Sequence, residues 1–488
     1  MNEMKRLYVA ALPTYSKSDY IELEDEESGL SYSAKIFTSH KFPQYLATFI
    51  ANIGAFALGN AIGWSAPSLP NIEELGDFDN LQANSDMATW IGALTPLGCF
   101  FSGFVAGYLI DKIGRKMTML VMALPFVAGW LIIAFAPNAP CVLVGRFITG
   151  FCGGSFTLAV PVYASEIAED SIRGILSNSM ALAVNAGILF TYVVGTLVSW
   201  STSSIINAFL PALFFIGMIF MPETPPYLIS KRKLPEAIKS LMWLRGANDY
   251  DEVEAEMKSI EANTDSNSKS LTLKDLMSPS VRKPAVICLL LMFFQQFGGI
   301  NGVIFYSVDI FKDAGTQIDD HVSAIILAVV EVVVVILSTL TVERLGRRIL
   351  LIVSEVGITI SLLALGTYFY IKEKNPEQAA GLGWLPLTSL IVFVLTFNFG
   401  MEPVPWTMMG ELPPSHAKGL ISSLTTAFSW GLAFLITKFF KNLITALTAY
   451  GCYWGFSACS FIGLIYCIIF VPETKGKSAT EIRQYFEK

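Results

Sequence analysis

The feature that most constrains the fold of this chain is a series of apolar segments, each about as long as a membrane is thick. A membrane-spanning helix needs roughly 20 mostly apolar residues, because each residue rises ~1.5 Å through a hydrocarbon core of ~30 Å. Twelve segments meet this criterion: 44–64, 89–109, 117–136, 141–163, 177–198, 204–222, 283–303, 322–342, 348–370, 386–409, 420–446 and 450–471. We therefore predict an all-α integral membrane protein with twelve transmembrane helices.

The overall composition favours a lipid environment and disfavours several classes of function. Of the 488 residues, 53% are hydrophobic and 15% are charged, whereas soluble domains carry about 25% charged residues. The net charge of −7 disfavours binding to nucleic acid. The seven cysteines and three histidines are scattered and lack the spacing of a metal site. We therefore expect a lipid bilayer and a small-molecule substrate as partners, with no cofactor, no metal, no enzymatic activity and no obligate protein partner.

Charges between the apolar segments predict the orientation of the chain. The loop 68–89 contains acidic residues and no lysine or arginine, whereas the gap 230–283 contains ten lysines and arginines. Basic loops tend to remain in the cytoplasm. We therefore expect both termini and the central gap to be cytoplasmic, in a protein of the plasma membrane.

The expected organisation of the chain has five parts. These are a cytoplasmic N-terminal segment, a six-helix bundle, a cytoplasmic helical linker, a second six-helix bundle and a cytoplasmic tail, at 1–42, 43–228, 229–283, 284–472 and 473–488. In the linker, residues 234–244 have apolar residues at helical spacing before Gly246, which is typical of a helix end. Residues 249–262 also favour a helix, whereas 263–270 are typical of a flexible linker.

Three short motifs occur twice in the same order and indicate an internal repeat. An acid precedes an arginine by four residues after the second and the eighth apolar segment, at Asp111 and Arg115 and at Glu343 and Arg347. An acid and a basic residue flank the end of the fourth segment, at Glu166 and Arg173, and the end of the tenth, at Glu411 and Lys418. The sequence Pro-Glu-Thr follows the sixth segment, at Pro222–Thr224, and the twelfth, at Pro472–Thr474. We infer a duplicated six-helix unit, whose halves enclose a midplane site and give alternating access.

These motifs resemble those of the sugar-porter family of the major facilitator superfamily, along nearly the whole chain. The segments that carry the resemblance are 107–116, Val144-Gly145-Arg146, 161–166, Arg173-Gly174, 222–225, Gln295-Gln296, 299–301, 403–406 and 472–476. Within the family, residues 243–246 and 408–412 are most similar to the insect facilitated trehalose transporters. The resemblance implies the major facilitator fold, with two pseudo-symmetric six-helix bundles, and transport of a hexose or trehalose.

The resemblance also implies which residues bind the sugar. Gln295, Gln296 and Asn301 would bind hydroxyl groups, and amides suit this role because they both donate and accept hydrogen bonds without carrying a charge. Trp406 and Trp430 would border the pocket. For the amides the alternative role is bonding between helices, and for the tryptophans it is packing or interfacial anchoring.

Breaks in two helices are expected to allow movement around this site. Gly298-Gly299 should loosen the seventh helix, and Tyr306 beyond it resembles part of an outer gate. Pro403 and Pro405 remove helical hydrogen bonds and should form a hinge in the tenth helix.

Several pocket positions depart from the family pattern. Ala181 stands where many relatives carry Gln, and Asn185, one turn later, is expected to compensate. At two other positions a carboxyl replaces the typical residue: Glu331 replaces Asn and Glu402 replaces Gly. In addition, Asn398 replaces Glu and Ser429 replaces Asn. The pocket has therefore gained carboxyl groups at the expense of amides.

The resemblance leaves the energetics of transport as a choice between alternatives. Proton-coupled sugar porters pair an Asp of the first helix with an Arg of the fourth, and the matching residues here are Asn60 and Arg146. Because Asn cannot titrate, we favour facilitated uniport. A proton symporter that uses Glu331 or Glu402 is the alternative, since an intramembrane carboxyl is a functional candidate. A sugar sensor that does not transport is a second alternative.

Charged residues at the cytoplasmic helix ends are expected to act as a latch. In the family that this chain resembles, they pair across helices when the inner side is closed. The expected members are Asp111, Arg115, Glu166, Arg173 and Glu223 in the first half, and Glu343, Arg347, Glu411, Lys418 and Glu473 in the second. A role as topology signals alone would explain the basic residues but not the acids.

Overall fold

The structure is a computed structural model, and it is almost entirely helical in the residues it describes. These are 20–24, 31–35, 40–78, 86–169, 171–266, 278–314 and 319–475, with the single residues 477, 481, 485 and 486. A short antiparallel pair of strands, β1 (Tyr20–Glu24) and β2 (Ser31–Lys35), precedes the first membrane helix. The sequence analysis did not predict this pair, because two five-residue strands carry too little periodicity to be recognised.

The helices fall into two groups of similar order, separated by a linker. The first group contains α1 (Phe42–Gly63), α2 (Ser65–Leu75), α3 (Asp86–Ile113), α4 (Arg115–Ala134), α5 (Ala139–Ile167), α6 (Arg173–Leu197) and α7 (Trp200–Ile219). The linker contains α8 (Pro225–Ser230), α9 (Leu234–Arg245), a 3-10 turn (Tyr250–Glu252) and α10 (Glu254–Ser266). The second group contains α11 (Pro279–Phe297), α12 (Ile300–Ala314), α13 (Asp320–Leu345), α14 (Arg347–Lys374), α15 (Pro376–Ala380), α16 (Leu385–Thr396), a π-helical turn (Phe397–Met401), α17 (Pro403–Glu411) and α18 (Ser415–Ile469).

The number of membrane crossings follows from helix length. Within the described residues, eleven helical stretches are long and apolar enough to span a bilayer, and the last covers Ala417–Ile469 with 53 residues. At ~1.5 Å per residue, this stretch would be more than twice as long as the ~30 Å core. The backbone leaves helical geometry at Thr448, with φ 66° and ψ 163°. The two arms of α18, before and after Thr448, therefore cross separately, and the prediction of twelve transmembrane helices is confirmed.

An even number of crossings places both ends of the membrane domain on one face, which we call the terminal face. The opposite face, which carries the start of α3 and the break at Thr448, is the distal face. The linker helices pack at the terminal face. There α9 ends at Gly246, which has φ 65°, as the sequence analysis predicted. The expectation of a flexible segment at 263–270 is wrong for residues 263–266, because α10 extends to Ser266, and residues 267–270 lie outside the described residues.

Two predicted helices are broken inside the membrane. The seventh crossing is not the continuous helix 283–303, because α11 ends at Phe297 and the chain passes through Gly299 at φ 85° before α12 begins. This left-handed backbone conformation favours glycine, so the predicted loosening at Gly298-Gly299 is confirmed. The tenth crossing contains a π-helical turn before Pro403, and such turns are frequent at functional sites.

The two halves pack against each other along two long seams. The first arm of α18 lies on α3, and α13 lies on α6. Small residues allow close approach in the first seam, since a Cβ added to Gly103 would lie 3.3 Å from the Cβ of Ala427. At the distal face, α12 also packs against α2. The two halves are therefore in direct contact along both seams and at the distal face.

Candidate functional site

The predicted sugar-binding amides form one hydrogen-bonded cluster beside the break of the seventh crossing. Gln296 Nε2 donates to Ser429 Oγ (2.9 Å) and to Gln295 Oε1 (3.3 Å). Asn301 Nδ2 donates to Gln296 Oε1. All four side chains are buried. The structure thus brings together three residues named from the sequence, and Ser429 occupies the position where relatives carry Asn.

Gln295 connects this cluster to the break in the tenth crossing. Pro405 has no N–H, so it cannot donate to Met401 O as a helical residue four positions later would. Gln295 Nε2 donates to that carbonyl instead (2.8 Å) and also lies 3.2 Å from Glu402 O. Gln295 therefore belongs to the amide cluster and also connects α11 to the tenth crossing by a hydrogen bond.

The predicted aromatic residues differ in their exposure and in their contacts. Trp406 and Trp430 are half-buried, and Trp430 Nε1 has no hydrogen-bond partner in the described part of the chain. Tyr306 is buried, its hydroxyl donates to Thr437 O (3.0 Å), and its ring stacks on Phe440 with centroids 5.6 Å apart. Tyr306 thus joins α12 to the first arm of α18 within the second half.

The two unusual carboxyls lie in the interior without ion-pair partners among the described residues. Glu331 is buried and close enough to Glu402 and Tyr192 to interact electrostatically with both. Within the same part of the chain, Oε2 of each glutamate accepts no hydrogen bond. Asn185 is also buried, but its Nδ2 donates to Ala181 O (3.0 Å) in its own helix. A sugar hydroxyl could therefore be bonded by the carboxyls directly, whereas Asn185 would first have to leave its own helix.

Arg146 and Asn60 are both buried, but the described hydrogen bonds of each side chain go to other residues. The guanidinium of Arg146 is completely buried, and it donates to Ile91 O (3.1 Å), Ala61 O (2.6 Å) and Ser65 Oγ (2.7 Å). The ring of Trp64 lies 5.1 Å away and adds a cation–π contact. Neutral acceptors thus satisfy this buried charge.

The amide of Asn60 lies in a separate contact. Its Nδ2 donates to Asn207 Oδ1 (2.8 Å), which belongs to α7. The described hydrogen bonds therefore do not join Asn60 to Arg146 directly, although Arg146 bonds the adjacent residue, Ala61. What remains of the expectation is that both positions are buried and that neither supplies a carboxyl.

The charge cluster at the terminal face of the first half is built around two acids. Glu166 accepts from Arg115 Nη2 (2.8 Å) and from Thr224 Oγ1 (2.6 Å). Glu223 accepts from the backbone N–H groups of Arg115 and Lys116, at 3.0–3.2 Å. Gly114, with φ 100°, turns the chain so that these two N–H groups point toward the carboxylate.

The second half repeats this cluster atom for atom. Glu411 accepts from Arg347 Nη2 (2.8 Å) and Thr474 Oγ1 (2.6 Å). Glu473 accepts from the N–H groups of Arg347 and Arg348 (both 3.0 Å), after a turn at Gly346 with φ 92°. The duplication inferred from motif spacing therefore extends to the hydrogen bonds. Each of the two ion pairs, Arg115 with Glu166 and Arg347 with Glu411, joins residues of the same half.

The pKa values of the two backbone-bound acids are shifted in opposite directions. Burial raises the pKa of Glu223 above its ordinary value, although the N–H groups of Thr224 and Lys116 oppose this shift. Burial acts in the same direction on Glu473, but the N–H groups of Lys475 and Arg347 help to hold its pKa below the ordinary value. The clusters are therefore equivalent in geometry but not in electrostatics.

The other predicted members of the latch lie outside these bonds. Asp111 and Lys418 are exposed, and Lys418 interacts electrostatically with Glu411. Arg173 Nε donates to Ser165 O (3.3 Å). The side chain of Glu343 lies outside the described residues.

Sequence analysis missed a buried arginine that attaches the linker to the membrane domain. Arg245 donates to Glu256 Oε1 (2.5 Å) in α10 and to Ile167 O (2.9 Å) at the end of α5. It also lies 3.8 Å from Glu169. A charged residue within the apolar pattern of α9 was the available signal. Glu355, a completely buried acid of α14, was overlooked in the same way.

Comparison with known proteins places these features in a family. The model of the sugar (and other) transporter family matches residues 47–486. The facilitated trehalose transporter Tret1 of Bombyx mori is 38% identical over 467 residues, which cover 96% of this chain and 90% of that protein. Tret1 of Apis mellifera ligustica is 40% identical over 444 residues, with coverages of 91% and 88%. These relatives are transporters.

Solved structures of low sequence identity share the fold. The proton:xylose symporter XylE bound to 6-bromo-6-deoxy-D-glucose superposes with a TM-score of 0.75 at 23% identity, over 91% of this chain and 99% of that one. A partially occluded, inward-open form of XylE from E. coli gives 0.75 at 22% identity, over 89% and 99%. With the family model covering most of the sequence, this chain belongs to the sugar (and other) transporter family.

Proposed function

We propose that this protein is a facilitative sugar transporter that carries a hexose or trehalose by alternating access, without coupling to an ion. The observation that carries the proposal is the buried cluster of Gln295, Gln296, Asn301 and Ser429 beside a helix break. Neutral amides can exchange hydrogen bonds with one another for bonds to sugar hydroxyls. Trehalose is included because the relatives from Bombyx mori and Apis mellifera ligustica are described as facilitated trehalose transporters.

The proposed site extends from the amide cluster to neighbouring side chains. Trp406 and Trp430 offer apolar faces to a sugar ring, and Nε1 of Trp430, which has no partner in the described structure, can donate to a hydroxyl. Tyr306 closes the distal side of the site. Glu331 offers a carboxyl oxygen that is likewise without a partner among the described residues, and Asn185 contributes after release from its own helix.

We also propose the orientation and division of the chain. The terminal face is cytoplasmic, because its turns carry Lys112, Arg115, Lys116, Arg347 and Arg348, and the membrane is the plasma membrane. The bundles are 43–228 and 284–472, joined by the linker 229–283 and flanked by cytoplasmic segments 1–42 and 473–488. At the cytoplasmic ends, each charge cluster acts as a latch between helices of its own half.

Uniport is supported by the surroundings of Arg146. Its three hydrogen bonds go to uncharged oxygens, so the guanidinium needs no carboxylate whose protonation would change during the cycle. A specific observation favours the alternative of proton symport, namely the carboxyl oxygens of Glu331 and Glu402 that have no partner in the described part of the chain. In the uniport proposal, Glu331 serves as a hydrogen-bonding group in place of the typical Asn and does not titrate during transport.

The test is uptake of labelled glucose, fructose and trehalose into proteoliposomes. We expect saturable uptake of at least one sugar, with an internal concentration that rises to the external value and stops there. An inward proton gradient should leave this final value unchanged, and Glu331→Gln should retain uptake because Gln keeps the size and a donor. Accumulation above equilibrium that Glu331→Gln abolishes would establish symport instead. Saturable binding of sugar without uptake would identify a sensor.

A further inference from the structure

A lysine in the first arm of α18 is buried in a contact between the two halves. Lys438 lies near the distal end of this arm, where its side chain is 6% exposed. Its ammonium donates to Asp86 Oδ1 and to Thr89 Oγ1 (2.7 Å), and it lies 4.7 Å from the ring centroid of Trp90. A lysine inside an apolar membrane helix is rare and costly unless it has partners. Here one segment of α3 provides all three contacts.

This contact joins elements of different halves, unlike the ion pairs at the terminal face. Asp86, Thr89 and Trp90 belong to α3 in the first half, whereas Lys438 belongs to α18 in the second. The pairs of Arg115 with Glu166 and of Arg347 with Glu411 each lie within one half. Rearrangement of the halves at the terminal face can therefore leave those pairs intact, but separation of α3 from α18 at the distal face must break the contacts of Lys438.

Neighbouring contacts show that the distal ends are closed in this structure. Tyr192 of α6 donates to Ile304 O of α12 (2.6 Å), and Ser307 Oγ donates to Tyr192 Oη (3.2 Å). The ring of Trp90 packs on Phe434, with centroids 6.0 Å apart. These contacts also connect the first half to the second and lie toward the distal face. Lys438 therefore sits within a closed distal seam.

We propose that Lys438, with Asp86, Thr89 and Trp90, forms a distal lock that stabilises the conformation closed at the distal face. Contacts that are made in only one of two states bias the equilibrium toward that state. The lock makes the form that opens to the terminal face the resting form of the transporter. This inference rests on the proposed transport function, because a lock of this kind has a role only in an alternating-access cycle.

The two charged residues of the lock have unequal roles. The side chain of Asp86 is 78% exposed, so water solvates its charge in both states and its contribution is small. Lys438 is buried, and without Asp86 its ammonium would keep only the Thr89 hydroxyl and the Trp90 ring. Removal of the lysine should therefore weaken the closed form more than neutralisation of the aspartate does.

The lock can be tested in nanodiscs, where a reagent reaches both faces of the protein. Ser307→Cys places a reporter thiol in the distal seam, at a position that is buried in the closed form, and peptide mass spectrometry quantifies maleimide labelling at that position alone. We expect Lys438→Met to increase the labelling rate of this reporter by about 5–30-fold, the range that a modest loss of stabilisation produces. Asp86→Asn should give a smaller increase, whereas Lys438→Arg, which keeps a cation beside Thr89 and Trp90, should keep labelling slow.

Lys374→Met provides the matched control. Lys374 also lies at the distal face, but its ion pair with Glu373 is within one helix, so its removal should leave labelling unchanged. Unchanged labelling in both Lys438→Met and Asp86→Asn would refute the lock, as would an equal increase in Lys374→Met. If Lys438→Met does not fold, Asp86→Asn and Lys438→Arg decide the question, because the lock predicts faster labelling in the first variant and slow labelling in the second. Sugar uptake by the unmodified chain is measured separately, so failure of transport and failure of the lock are distinguishable.

Discussion

Substitution of Gln296 provides the most direct test of the proposed sugar site. The amide of Gln296 lies at the centre of the cluster, where it donates to Ser429 (2.9 Å) and Gln295 (3.3 Å) and accepts from Asn301. Because the amide is buried, each of its groups must find a partner in the protein or in the substrate. Gln296→Ala removes two donors and an acceptor at once.

The expected magnitude follows from these bonds. When sugar binds, the amide exchanges one or two of its protein partners for hydroxyl groups. Loss of a hydrogen-bonding group in a buried site costs about 1–3 kcal/mol, because the partner is left unsatisfied. Since ~1.4 kcal/mol corresponds to a factor of ten, the half-saturation concentration of uptake should rise roughly tenfold or more.

The assay is the initial rate of labelled sugar uptake into proteoliposomes over a range of concentrations. Gln44→Ala is the matched control: Gln44 is also a buried glutamine, but its side chain bonds Glu169 near the terminal face. We expect Gln44→Ala to change half-saturation little, and both variants to be expressed normally. Unchanged uptake at low sugar concentration in Gln296→Ala, or an equal change in both variants, would show that Gln296 does not bind the sugar.

Three further predictions concern the helix break, the repeated clusters and the linker. Pro405→Ala supplies an N–H that can donate to Met401 O, so it should straighten the tenth crossing and lower the maximal uptake rate more than it changes half-saturation. Thr224→Val removes a hydrogen bond to Glu166, and Thr474→Val removes the equivalent bond to Glu411. Each variant should therefore lower the free energy of unfolding by about 0.5–1.5 kcal/mol. A large difference between the two values would contradict the equivalence of these hydrogen bonds in the two halves. Arg245→Met should detach the linker helices from α5 and lower the unfolding temperature, and an unchanged temperature would mean that these bonds do not stabilise the fold.

The membrane helices could be predicted because their cause is local. Each apolar run must satisfy its own backbone hydrogen bonds in lipid, so sequence alone determines where helices form. The breaks were also visible, since Gly299 tolerates a positive φ and Pro405 lacks an N–H. Neither residue, however, indicates the π-helical turn that precedes Pro403. That turn depends on which neighbouring groups donate to the carbonyl oxygens that the prolines leave without a partner.

The contacts of buried charges were much harder to predict. The partners of Arg146 include two backbone carbonyls, and every residue has a carbonyl, so the sequence carries no signal for them. The expected pairing with Asn60 came from the family resemblance, and the described hydrogen bonds of Arg146 reach the backbone of the next residue, Ala61, rather than the Asn60 side chain. In contrast, the bonds of Glu166 and Glu411 were foreseeable, because the repeat places acid and arginine at equivalent helix ends in both halves.

One amide links the proposed sugar site to the bend of the tenth crossing. Gln295 Nε2 satisfies Met401 O, a carbonyl that lacks a helical partner because residue 405 is proline, while Gln295 Oε1 accepts from Gln296 in the amide cluster. If a sugar hydroxyl displaces Gln296 from Gln295, the free Oε1 must bond elsewhere, and rotation to reach a new donor weakens the bond to Met401. An unsatisfied buried carbonyl costs about 1–3 kcal/mol, enough to shift a balanced two-state equilibrium by tenfold. We therefore propose that occupancy of the site and closure of α17 over it are coupled through Gln295, and this coupling would require no charge to move across the membrane.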